Sequence, residues 1–195
     1  MKSSTLTPEE SLWLITKTIE ETKVRFQNNG HIFVFWGALT IIVFGIQHIL
    51  GMLGFYKFMM VPVYLFPLGA IYTALYVRRE YKKNHAPRTI IGNILGSQGW
   101  VIGMNLMIMG FFCSDKLGDS LAPVFIILLA SMTIVAGLAV KFKPLIIGGV
   151  LMNLIALGSF FISRDYHGFS IMLGAMVGML IPGILLNFAR RKENV

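Results

Sequence analysis

The chain has 195 residues, of which 55% are hydrophobic and 13% charged, with a mean hydropathy of +0.71. That is more apolar surface than one soluble domain of this length can bury, so the composition predicts an integral membrane protein. The net charge of +8 and pI near 9.8 sit in short clusters between apolar runs, which excludes a nucleic-acid surface and points to topology signals that attract anionic headgroups of the bilayer.

Thr7-Pro8-Glu9-Glu10 has the form of a helix start: Thr7 caps, Pro8 takes the first helical position and Glu10 closes a capping box. A helix is predicted from Pro8 to Gln27. Leu12, Ile15, Ile19, Thr22 and Phe26 recur on one face, and Glu9, Lys17, Glu20, Glu21, Lys23 and Arg25 mostly take the others. This helix is too charged to span and is expected to lie on the membrane surface, with docking of a soluble partner as the alternative. Asn28-Asn29-Gly30 is read as its stop. The first apolar run lies beyond the place of a secretory signal, so no cleaved leader is expected.

Six apolar runs follow, each near the ~20 residues that a bilayer core requires. They cover about 33–53, 58–77, 90–113, 121–140, 145–162 and 169–188, and the turns between them are short. The fold class expected is therefore an all-α integral membrane protein, a six-transmembrane-helix bundle of three hairpins with an N-terminal amphipathic interfacial helix. Residues 1–30 form the amphipathic segment, 31–189 the membrane domain and 190–195 a basic tail. The N-terminal segment, the second-to-third loop, the fourth-to-fifth loop and the C-terminus hold fourteen Lys and Arg, and the other three loops hold three. Positive residues accumulate on the cytoplasmic side, so both termini are expected there, in a plasma (inner) membrane. The densest cluster is Arg78, Arg79, Lys82, Lys83 and Arg88; the acidic Glu9, Glu10, Glu20 and Glu21 are expected to pair with it, which makes helix 8–27 and loop 78–88 neighbours.

The segment Glu10-Ser11-Leu12, Ile15, Ile19, Thr22-Lys23, Gly30, Phe33 and Trp36-Gly37 resembles the N-terminal region of small, uncharacterised multi-spanning bacterial membrane proteins. The resemblance covers about the first forty residues. It implies a bacterial plasma membrane and about six spans, and carries over no activity and no site residue.

All nine Asp and Glu lie outside the predicted spans, which argues against a transporter driven by embedded carboxylates. The polar groups inside the spans are neutral: Gln47, Asn93, Gln98, Asn105, Ser131, Thr133 and Asn153. Hydrogen bonds across helix interfaces are their expected role, with a polar pathway lined by Gln98, Asn105 and Asn153 as the alternative. Gly92 and Gly96, Gly99 and Gly103, and Gly174 and Gly178 are spaced four apart, which predicts close helix packing in spans three and six. Pro67 and Pro182 should each remove a helical hydrogen bond, leaving a static bend or a hinge. Met104-Asn105-Leu106 with Gly110-Phe111-Phe112, and Met152-Asn153-Leu154 with Gly158 and Phe160-Phe161, could mark a parallel repeat of one hairpin, with chance similarity as the alternative.

No metal or cofactor is expected. His48, Met52, Met59 and Met60, and His167, Asp165, Asp115 and Asp119, belong to one side of the membrane without a recognised ligand spacing. His31 and His48 lie at different depths, which does not suit axial haem ligation. The lone Cys113 is read as a packing residue. Walker, zincin and serine-hydrolase motifs are absent from the sequence, so an enzyme is not expected. The leading expectation is a non-enzymatic scaffold, accessory or regulatory subunit, a homo-oligomer or bound to a protein partner. The alternative is a small facilitator or channel for a neutral or weakly polar solute.

Overall fold

A computed structural model of the protein describes residues 7–14, 16–17, 30–84 and 90–193. In hydrocarbon a backbone must satisfy its own N–H and C=O groups, and uninterrupted apolar runs do so as helices. The described residues are helical throughout apart from short turns, with no strand among them. The main elements are α1 (Gly30–Met52), α2 (Leu65–Asn84), α3 (Ile90–Phe112), α4 (Leu121–Ala139), α5 (Lys143–Ser159), α6 (His167–Ala175) and α7 (Ile181–Glu193). A π-helical turn, Met176–Leu180, joins α6 to α7. Five helices are long and apolar enough to cross a membrane, and α5, at 17 residues, is a shorter apolar one.

The N-terminal capping box is formed: the Thr7 N–H donates to Glu10 Oε2 at 2.9 Å and the Glu10 N–H to Thr7 Oγ1 at 3.2 Å. Leu12 and Trp13, in the helical turns that follow, are exposed. Residues 15, 18–29 and 85–89 lie outside the described residues, and with them the rest of the helix expected over 8–27 and its expected pairing with 78–88. Gly30 is helical and buried, the first described residue of α1; the stop expected at Asn28-Asn29-Gly30 otherwise lies outside the described residues. A Cβ on Gly30 would stand 2.5 Å from Asn187 Oδ1.

Two hairpin ends share one device. At the end of α1 the Phe55 N–H donates to Leu50 O and the Gly54 N–H to Gly51 O, with Gly54 at φ 75°. After α4 the Phe142 N–H donates to Gly137 O and the Lys141 N–H to Leu138 O, with Lys141 at φ 53°. Both are Schellman ends, in which a left-handed residue lets the chain satisfy the last helical carbonyls. Glycine adopts that conformation readily; Lys141 does so against a steric cost.

Pro67 stands just after the chain changes from 3₁₀ to α-helix. The chain from Val61 to Tyr64 is a 3₁₀ helix and α2 begins at Leu65, so Pro67 sits in the first turn, where its missing N–H has no helical acceptor to leave. Pro182 stands directly after the π turn Met176–Leu180, within a helix that runs on without a gap from His167 to Glu193.

Packing divides the molecule into a core and a periphery. The α4–α5 hairpin is the closest pair, α1 runs along α6, the π turn and α7, and α5 packs on the same rod. Half of the most apolar stretch of residues 164–189 is buried within the chain, against 11% for 56–79 and 6% for α3. The core itself forms two stacked clusters. Phe33, Leu95, Ala136, Leu145, Met179 and Leu186 fill the end where α1 begins. Ala122, Ile126, Ala130, Met152, Ala156 and Ile171 fill the opposite end. Leu95 is the anchor by which the otherwise peripheral α3 reaches the first cluster.

Candidate functional site

The close approaches within the core are made by glycines that the four-residue spacing does not single out. Gly37 lies against the backbone of Leu180, where an added Cβ would stand 2.8 Å from its N. Gly183 lies against Phe33 and Val34, Gly137 against Ile146, and Gly149 against Ile134. Gly30 and Gly37 are seven apart and so share one face of α1; that spacing was the available sequence signal. Of the predicted pairs, Gly174 and Gly178 face Met152, whereas Gly96 and Gly103 face open space and Gly99 meets only the methyl of Met132. Gly92 is half-buried.

The three amides expected to line one pathway are not brought together. Gln98 and Asn105 stand on α3 and Asn153 on α5, with α4 between them. Phe125 and Met132 of α4 meet Gly110 and Gly99 of α3, while Ala130, Ile134 and Gly137 form a separate face toward α5. Gln98 and Asn153 are half-buried and Asn105 is exposed. The other neutral groups do not bridge spans either: Ser131 donates to Ile127 O and Thr133 to Leu129 O, each within its own helix. Gln47 Nε2 donates to Met59 O in the turn after α1, at 2.8 Å. The two Met-Asn-Leu segments occupy unlike surroundings, with Met104 51% exposed and Met152 fully buried.

Polar bonds between spans are concentrated in the α1–α2 pair. His31 Nε2 and the Tyr72 hydroxyl are 2.7 Å apart. Trp36 Nε1–H donates to Thr73 Oγ1 at 3.1 Å, and Thr73 donates onward to Gly69 O at 2.9 Å. Tyr76 meets the His31 ring edge-on, and Phe35 packs on Tyr72. This aromatic group lies one to two turns from Arg78, Arg79 and Lys82, which are exposed. The side chains of Lys83 and Arg88 lie outside the described residues. At the other end of the bundle His167, buried, has Nε2 3.1 Å from Ser159 O. There it can satisfy a carbonyl that α5 leaves open where it ends. Asp119 and Arg164 form an exposed pair at 3.7 Å. His48, Met52 and Met60 are exposed, and among the described residues no three His, Cys, Asp or Glu side chains form a metal-holding group. Cys113 is a free thiol, half-buried.

The π turn leaves an unusual backbone group. The Ile181 N–H donates to Met176 O, five residues back. Val177 O has thereby lost its α-helical donor, and the residue five ahead of it is Pro182, which has no N–H. Gly148 of α5 faces this carbonyl: a Cβ there would be 2.6 Å from Val177 O and 2.7 Å from Pro182 Cγ. The glycine lets the backbone of α5 come close to this oxygen, an approach that any side chain would block and that weak C–H donation from the α-carbon suits. Thr40, 5% exposed, is the buried hydroxyl of the facing part of α1. Thr73, Ser131, Thr133, Ser159 and Ser170 all donate from their hydroxyls to the carbonyl four residues back; the Thr40 hydroxyl has no hydrogen bond among the described residues.

No protein-family model, curated protein or solved structure matches the chain. The roles of these residues therefore rest on their geometry.

Proposed function

We propose that the protein is a six-span membrane protein of the bacterial plasma membrane, with both termini cytoplasmic, that acts without catalysis as a scaffold or accessory subunit. The observation that carries this reading is the division between core and periphery. α1, α4, α5 and the last span lock together through glycine contacts, while α2 and α3 leave most of their surface uncovered. Surface of that kind on a helix is available for helix–helix association. The fourteen-to-three bias of basic residues supports the orientation. For α5, 17 residues give about 26 Å of helix, which a locally thinned bilayer accommodates. Extraction in a mild detergent should yield an assembly larger than one chain. A solitary chain that conducts a solute in liposomes would overturn the proposal.

One observation favours the facilitator reading, the π turn of the last span at Met176–Leu180, since single π turns inside α-helices are frequent at functional sites. In that case Asn105→Leu and Asn153→Leu should leave flux unchanged, because those amides stand on separate faces, whereas a change at Thr40→Val would be expected.

A further inference from the structure

We draw no further inference here: the strongest candidate, the buried Thr40 hydroxyl on the face of α1 that packs along the π turn, rests on one side chain of the site already described, since Val177 O, the other unpaired group there, faces Gly148 of α5 and nothing among the described residues shows a ligand between them.

Discussion

Gly148 carries a constraint that its neighbours in sequence do not announce. Its α-carbon faces a carbonyl that helix geometry and Pro182 together leave without a donor, and the atoms an added Cβ would strike are backbone and a ring carbon. Neither can swing aside as the tip of a flexible side chain would. Gly148→Ala should therefore destabilise the protein by about 1–3 kcal/mol through overpacking. Gly158→Ala on the same helix faces open space and should be neutral or up to ~1 kcal/mol stabilising. Paired thermal melts in one detergent check the difference, and equal melting of the two variants would refute the account. The His31–Tyr72 bond is the second residue-scale case. Tyr72→Phe keeps the ring against Phe35 and removes only the hydroxyl, so the expected loss is about 0.5–1.5 kcal/mol. In a His31→Phe background the same change should cost much less, which a double-mutant cycle measures.

The helical elements were legible in the sequence, because an apolar run in lipid has one way to satisfy its backbone and the charges mark where each run ends. Four of the observed helices begin and end within about three residues of the predicted spans, whereas α2, Leu65–Asn84, is displaced by seven from the predicted 58–77 and the last helix runs past 188 to Glu193. Less legible was how the elements meet. Spacing of four identified Gly174 and Gly178, which face Met152, but equally identified Gly96 and Gly103, which face nothing among the described residues. A helix face shows that a neighbour could approach, not whether one does. Pro67 and Pro182 made the same demand on paper and met different outcomes, since one falls in a first turn and the other in mid-span. Neutral polar residues in a span invite bonds between spans; Ser131 and Thr133 instead bond their own helix, because a Ser or Thr hydroxyl reaches the carbonyl four residues back without help from a neighbour. At the α4–α5 turn, Lys141 holds a left-handed conformation that glycine would hold without strain. Lys141→Gly should raise stability by about 1 kcal/mol, read as a higher melting temperature. An unchanged or lower one would mean that the lysine charge beside the last carbonyls of α4 outweighs the strain.

Across the whole molecule, the tight half and the loose half follow from where small residues fall. α1, α4, α5 and the last span carry glycines that meet a neighbouring backbone or core side chain, so they form a body whose parts cannot be separated without opening gaps. α2 is held to α1 by aromatic and polar contacts, and α3 to the body through Leu95 and its packing on α4. The short α5 is central to that body, and it decides how the molecule sits in the bilayer. With α5 crossing, residues 141 and 164 lie on opposite sides of the membrane, and both chain ends lie on the side of 141. With α5 packed in the bundle but not crossing, 141 and 164 share a side, and the loop 114–120 opposes them both. Lys141→Cys and Arg164→Cys, each in a Cys113→Ser background, separate the two arrangements with a thiol reagent that cannot cross the membrane. The expected result is labelling of the Arg164→Cys chain in intact cells and of the Lys141→Cys chain only after the membrane is permeabilised. Labelling of both from one side would reduce the spans to five and place the two ends of the chain on opposite faces. The basic clusters would then be divided between the two sides of the membrane, against the bias that positive residues show toward the cytoplasmic side.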